Sequence, residues 1–292
     1  MNRIERILFK LKDPEEYKNR VFYEKIQAIE PPVLSFTGKE AYHFKHSGNA
    51  GDIIYALPAM LGLAGDKNIH LHLQINQWAS YGKKPHPLGN TMLDSKMVEQ
   101  LQPLLMSQPT IKTCDLYTNQ SIDYDMDLIR KYPFLLNRGN ISRWYFWVFA
   151  TNYDLGKPWL TVPNDLLLAD TIIVSRSQRY NAPGIDYSFL QQYPKVSFIG
   201  VPAEFAVMQK MIPGLQYLPV TDFYQMAKYI ASCKLFIGNQ SFPFAIAEAL
   251  KVNRLLEIYF QTPNVSVTGA NAFDFCFQPQ FEKLVKERYA AS

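Results

Sequence analysis

DFYQMAKYIASCKLFIGNQSFPFAIAEALKVNRLLE, residues 222–257, decides the fold. Asp222 can cap a helix whose apolar residues Phe223, Met226, Ala227, Ile230 and Ala231 recur at i, i+3, i+4, i+7 and i+8. Lys234 to Gly238 is a short apolar strand, Phe244 to Leu250 a second helix, and Leu255 to Tyr259 a second strand. Strands alternating with helices at this spacing form parallel βαβ units. Gly238 permits a tight exit from its strand, and Asn239, Gln240 and Ser241 offer donors beyond it. Pro243 suits the first turn of the helix that follows, where free backbone N–H groups form a ready anion site.

The same alternation extends on both sides. Upstream, Thr171 to Ser175 and Val196 to Gly200 are strand-like runs, with a helical stretch from Ala203 to Met211. Further upstream, Ala41 to Lys45 leads into the glycine-punctuated turn His46-Ser-Gly-Asn-Ala-Gly51. An apolar helical segment follows from Asp52, with Pro58 expected to delay or bend it. Ile69 to Ile75 reads as a strand, Lys96 to Leu105 as a short helix and Tyr124 to Ile129 as a third strand. The expected fold is α/β, with two doubly wound Rossmann-like halves, 33–165 and 166–275, facing a cleft. Residues 1–32 read as a charged amphipathic helix or helix pair, with Ile4, Ile7, Leu8 and Leu11 at helical spacing. Residues 276–292 are expected to form a helix returning toward the first half.

Composition narrows the function. Hydrophobic residues make up 48% of the 292 and charged residues 19%, the balance of a packed globular chain. The net charge of +4 is too small and too evenly spread to signal nucleic-acid binding. Cys114, Cys233 and Cys276 are far apart and form no CxxC pair, which argues against a disulfide framework or a zinc site. No stretch reaches the ~20 apolar residues of a membrane span, and the first residues do not read as a secretory signal. A cytoplasmic location follows as the expectation, with peripheral contact at the inner face of a membrane left open. There is no GxSxG, Walker lysine or zinc-ligand spacing.

In an open parallel sheet, ligands bind beyond the carboxyl ends of the strands. The residues there are Ser175, Arg176 and Arg179 after one strand, Gly200 after the next, and the 238–243 turn after the third. Arg176 and Arg179 have the charge to neutralise a diphosphate. In the first half the corresponding place is held by His46, Gly48, Asn49, Gly51 and Asp52. Taken alone, Asp52 is a helix cap, and His46 is a competing base because its ordinary pKa lies near 6.5.

The 222–257 stretch resembles the nucleotide-sugar half of GT-B glycosyltransferases. It is most similar to the heptosyltransferase group, glycosyltransferase family 9. Gly238, Asn239, Ser241, Pro243, Ala247, Ala249 and Leu250 match that pattern without gaps. Gln240, Phe242 and Ala245 stand where the family has Asp, Gly and His. HSGNAGDIIYALPAML, residues 46–61, resembles the family's N-terminal segment at Gly51, Asp52, Ile53, Ile54, Leu57, Pro58 and Ala59. The resemblance implies transfer of a sugar from a nucleotide-diphosphate donor to an acceptor hydroxyl, with inversion and without a metal or other cofactor. It implies Asp52 as general base, the 238–243 turn with Arg176 and Arg179 on the diphosphate, and Glu248 on the ribose hydroxyls. Gly48, Asn49 and Gly51 would form the loop beside the acceptor, a glycan, lipid-linked or other hydroxyl compound. A nucleotide-sugar epimerase or hydrolase of the same fold, and an inactive binding module, stay open.

Three further features carry weaker signals. Asp123, Asp125 and Asp127 form a DxD-like run that reads as a capped, solvated strand entrance. His70 and His72 lie two apart on one strand face without a third ligand nearby, and read as structural. The aromatic stretch around Trp144, Trp147 and Trp159 is expected either to border the acceptor or to pack in the core.

Overall fold

The computed structural model describes residues 2–33, 39–81, 88–164 and 168–291. Helices α1 (Arg3–Lys12) and α2 (Pro14–Gln27) come first, then β1 (Ala41–His46), α3 (Ala50–Ala64) and β2 (Asn68–Leu73). These are followed by α4 (Ser95–Met106), β3 (Ile111–Leu116), β4 (Tyr124–Asp125) with a 3-10 turn over Met126–Arg130, and α5 (Ile141–Phe149). The second half runs β5 (Ile172–Ser175), β6 (Val196–Phe198), α6 (Pro202–Met211), β7 (Gln216–Tyr217), α7 (Phe223–Ser232) and β8 (Leu235–Asn239). It ends with α8 (Phe242–Leu250), β9 (Arg254–Glu257), β10 (Ala272–Phe275) and α9 (Gln278–Ala290). The expected boundary between the halves, at 165 and 166, lies outside the described residues.

The strands form two sheets, and every pairing is parallel. The first has the order β3-β2-β1-β4 and the second β7-β6-β5-β8-β9-β10. Counted from its own first strand, the second sheet is 3-2-1-4-5-6, the order of a doubly wound dinucleotide-binding sheet, and the first sheet is its 3-2-1-4 portion. Winding reverses between β1 and β4, and again between β5 and β8. Those two switch points place the 46–52 loop and the 238–243 turn at the ligand-binding ends of their sheets.

One apolar cluster runs from Phe44, Leu71 and Ile54 through α5 to Phe223, Phe236 and Phe244 in the second half. A second fills the far face of the second sheet, around Val174, Phe198, Leu235 and Ile237. The halves meet where α3 packs on α8 and α4 on α7. Helix α9, expected to return toward the first half, packs its apolar face on the second sheet. Its Phe281 stacks on Phe275 at 4.0 Å, and Phe281 and Val285 are buried in the second cluster.

Helix α3 runs through Pro58 without a break, beginning before Asp52 rather than after Pro58. Proline lacks the N–H that would bond the carbonyl four residues earlier. That carbonyl, on Ile54, instead accepts from the indole N–H of Trp159 at 3.0 Å, and the next, on Tyr55, from the Ser142 hydroxyl at 2.8 Å. The strands that the sequence pattern did not reveal, β3, β7 and β10, lie at sheet edges, where polar residues interrupt the apolar run. The expected third strand, Tyr124 to Ile129, is also at an edge and keeps only two strand residues.

Candidate functional site

At the carboxyl end of β1 the chain turns sharply through Ser47, Gly48 and Asn49 into α3. A methyl group at Gly48 would lie 2.7 Å from His46 Cε1 and 3.0 Å from Asp52 Cβ, and would run into the Arg130 guanidinium. Glycine is therefore what lets the side chains of His46, Asp52 and Arg130 converge on one point of backbone. Asn49, not Asp52, is the N-cap of α3. The Asp52 carboxylate, one turn in, accepts from the Asn49 amide at 3.2 Å and from Asn49 Nδ2 at 3.3 Å, both on Oδ2. Among the described residues its Oδ1 accepts no hydrogen bond.

Burial raises the Asp52 pKa above the ordinary carboxylate value. Arg130 from its own half, the Asn49 donors and Arg179 from the second half oppose that rise. Asp52 thus sits in the field of one cation from each half. Arg179 lies over the Tyr81 ring, and Tyr81 donates to Asn49 Oδ1 at 2.6 Å. A methyl group at Gly51 would lie 3.9 Å from Phe242 Cα, an ordinary contact distance, so the starts of α3 and α8 lie close together.

His46 is fully buried, and burial drives its pKa down to about 3. The Gly48 amide donates to His46 Nδ1 at 2.9 Å. Since an amide can only donate, the ring proton is on Nε2, which faces the Tyr145 hydroxyl at 2.8 Å. Both ring nitrogens are engaged, and the imidazole has no lone pair left for an acceptor. The expectation of His46 as a competing base fails on this geometry.

The DxD-like run is a clasp between β4 and β1. Asp123 accepts from the His43 amide at 2.9 Å, and Asp125 pairs with Lys45 at 2.8 Å. Asp127 accepts from the Ser47 amide at 3.0 Å and pairs with Arg130. Burial opposes ionisation of Asp127, but His46, Arg130 and the Ser47 amide outweigh it and hold its pKa below the ordinary range. The run is ion-paired rather than a solvated strand entrance, and no metal-binding cluster occurs among the described residues. His70 and His72 stack with His43 at 4.7 and 5.3 Å.

In the second half, several residues expected to contact the donor are committed within the protein. Both Glu248 oxygens are taken, by Lys251 Nζ at 2.5 Å, Arg254 Nε at 2.6 Å and the Thr268 hydroxyl at 2.7 Å. Glu248 and Arg254 are fully buried, and burial lowers the Lys251 pKa to about 8 against the pull of Glu248. Glu248 therefore points into a charge cluster beneath α8 and offers nothing to a ribose. Arg176 forms a two-pronged ion pair with buried Glu257, at 2.7 and 2.8 Å, and Glu257 also accepts from the Ala182 amide and the Tyr187 hydroxyl. Ser175 is buried in β5, and Gly200 accepts from the Tyr217 hydroxyl at 2.9 Å.

Asn239 is buried at the end of β8 and ties down the loop beside it. Its Oδ1 accepts from the Ser177 amide at 3.0 Å, and its Nδ2 reaches the Arg179 carbonyl at 2.5 Å and Asn181 Oδ1 at 2.8 Å. Gln240 bridges to Thr262, Asn264 and Tyr259. Phe242 meets Phe223 at a tilt, with ring centroids 4.3 Å apart, and Ala245 is buried. The Ser241 hydroxyl donates back to the Asn239 carbonyl and does not cap α8, so Pro243 opens a helix whose start has no side-chain cap. Of the expected donor-side cations, Arg179 is the one that reaches the first half.

Sequence reasoning missed Tyr81, Arg130 and Tyr145, and read Asp127 only as structural. Arg130, one turn after Asp127, carries a local signal. Its approach to Gly48 depends on β4 pairing with β1, about eighty residues away in the chain. Of the aromatic stretch, Trp159 is buried under α3, whereas Trp147 is exposed and Trp144 half-exposed. The latter two meet Phe134 and each other at 4.7 to 6.1 Å.

No protein-family model and no curated protein matches the sequence. Solved structures do match. A glycosyl transferase family 9 protein from Veillonella parvula superposes with a TM-score of 0.56 at 12% identity, covering 89% of this chain and 99% of that one. The E. coli heptosyltransferase WaaC, solved with ADP-2-deoxy-2-fluoro heptose, gives 0.57 at 8% identity, covering 85% and 99%. E. coli ADP-heptose lipopolysaccharide heptosyltransferase II gives 0.52 at 11% identity, covering 87% and 99%. The fold is GT-B. It is that of the heptosyltransferases over nearly their full length. No helix among the described residues is long and apolar enough to cross a membrane.

Proposed function

We propose that this chain is a glycosyltransferase that moves a sugar from a nucleotide-diphosphate donor to an acceptor hydroxyl, with inversion and without a metal. The observation that carries the proposal is Asp52, with Oδ2 fixed by Asn49, Oδ1 open, and an arginine from each half in its field. In this reading the acceptor oxygen attacks the anomeric carbon while Asp52 Oδ1 takes its proton, and the bond from that carbon to the diphosphate oxygen breaks. Arg179 and the uncapped start of α8 receive the negative charge left on the diphosphate. Arg130, held by Asp127, fixes the loop around Gly48 and opposes the rise that burial imposes on the Asp52 pKa. Trp144 and Trp147 lie on the helix whose Tyr145 holds His46, and the exposed Trp147 ring offers an aromatic face to an acceptor sugar.

The residues at the α8 start differ from those of the family pattern, so the donor base is the first thing to establish. Thermal shift and calorimetry with ADP-, UDP-, GDP- and dTDP-sugars test the reading, because a ligand of the folded state raises its melting temperature. Saturable binding of one of them, lost in Arg179→Ala, is the expected result. Absence of binding across the set would refute it.

A further inference from the structure

Helix α1 presents an unusual surface. Ile4, Ile7, Leu8 and Leu11 form one stripe along it and are 70, 52, 61 and 75% exposed. Phe9 points the other way and meets Tyr17 of α2 edge-on at 6.0 Å. No residue of α1 or α2 is buried. Both helices are nevertheless well specified. Asn2 and Glu5 form a reciprocal capping box on α1, and Asp13 with Pro14 starts α2. A ten-residue helix is marginal in water by itself, and most helical stability comes from covering an apolar face. The hairpin is thus built to hold an apolar stripe that the other described residues do not cover.

The charge around the stripe says what covers it. Arg3, Arg6, Lys10 and Lys12 stand against one carboxylate, Glu5, on the same helix. On a helical projection Arg3 and Lys10 border one edge of the stripe and Lys12 the other. Arg3, Arg6, Lys10 and Tyr17 also line an open recess of about 550 Å³ beside Ile7. Arg6 is paired there with Glu24 at 3.4 Å, which leaves Arg3 and Lys10 facing the recess. An apolar stripe bordered by cations is the pattern of a helix lying in the plane of a bilayer, with acyl chains against the stripe and lipid phosphates against the cations.

We infer that α1 docks this protein on the surface of an anionic phospholipid bilayer. The inference goes beyond the glycosyltransferase reading and does not rest on it, since α1 contributes nothing to the site around Asp52. Co-sedimentation of the full chain with phosphatidylcholine vesicles, with and without phosphatidylglycerol, tests it in the absence of nucleotide sugar. The wild type should pellet with the phosphatidylglycerol vesicles only, and release as salt rises and the screening length shortens. Ile7→Ser/Leu8→Ser and, separately, Arg3→Gln/Lys10→Gln should each cut the bound fraction at fixed lipid at least tenfold. Neither pair reaches the core, so both variants should melt with the wild type. Wild-type protein that stays in the supernatant, or a serine variant that pellets as the wild type does, overturns the inference. So does a dimer in size-exclusion chromatography that the serine variant makes monomeric while lipid binding is absent, since the stripe would then be covered by a second copy.

Discussion

The guanidinium of Arg179 lies over the ring of Tyr81, 4.9 Å from its centroid, and this contact joins the loop after β5 to the first half of the molecule. Tyr81 donates to Asn49, and Asn49 donates to Asp52. A donor-side arginine and the candidate base are thereby linked through two intervening side chains. Occupancy of one can be felt by the other.

Replacing Arg179 tests the donor side. Arg179→Ala should weaken nucleoside-diphosphate binding by about ten- to a hundredfold, the worth of a charge-assisted hydrogen bond of about 1.5–3 kcal/mol. Arg179→Lys should recover little, because a lysine keeps the charge and loses both the planar stacking on Tyr81 and the paired donors. Calorimetric titration decides between these outcomes. Undiminished affinity in Arg179→Ala would remove the residue from the site.

Glu248 should behave as a structural residue. Glu248→Gln leaves the buried Arg254 without its carboxylate, and breaking one partner of a buried pair costs about 3–5 kcal/mol. Chemical denaturation should show a loss of that order. Nucleotide affinity of the protein that remains folded should be unchanged. A stable variant that no longer bound nucleotide would restore the ribose-binding role.

The sequence pattern exposes the backbone of the site more readily than its side chains. Helical periodicity with Asp222 as cap, and the apolar runs of β5, β8 and β9, are local signals, and the elements stand where those signals place them. Gly51 and Asp52 likewise fall at a switch point. Glu248 was misread because its partners Arg254 and Thr268 are brought to it by the β9 pairing and a later loop, which no local spacing encodes. His46 was misread for a similar reason. Its burial and its bond to Tyr145 are tertiary facts, invisible in HSGNAG. Edge strands such as Ile111–Leu116 mix polar with apolar residues and resemble loops.

Burial of neutral His46 should make stability depend on pH. The folded pKa of about 3 lies below the ordinary value of 6.5, so between these values the unfolded chain binds the extra proton. Stability from this group is therefore complete above pH 6.5 and declines as pH falls toward 3, by about 1.4 kcal/mol per unit. Denaturation at pH 7 and pH 5 isolates it from Asp127, whose lowered pKa acts below the ordinary carboxylate value of 3.8. In His46→Gln the difference between the two pH values should shrink. An equal difference in both proteins would show that another group is responsible.

The Trp159 indole should matter through its N–H. Trp159→Phe leaves the Ile54 carbonyl, freed by Pro58, without a partner in the core, at a cost of about 1–3 kcal/mol. Adding Pro58→Ala restores an N–H to that carbonyl and should return part of the loss. A double-mutant cycle that proves strictly additive would dissociate the two residues.

The decisive test is Asp52→Asn. Asparagine keeps the size of the side chain and can still accept from the Asn49 amide through its own Oδ1, so α3 should start as before and the melting temperature should hold. What it loses is basicity. Turnover should fall by about 10²–10⁴-fold, the usual worth of general-base catalysis, while donor affinity stays near that of the wild type. Burial raises the Asp52 pKa, so the acid limb of kcat/KM in the wild type should lie above the ordinary carboxylate value of 3.8 and vanish in the variant. His46→Gln is the contrasting control. Its imidazole has both nitrogens engaged, and the change should cost stability and pH sensitivity more than it costs turnover. Wild-type turnover in Asp52→Asn would defeat the assignment of Asp52 as the base.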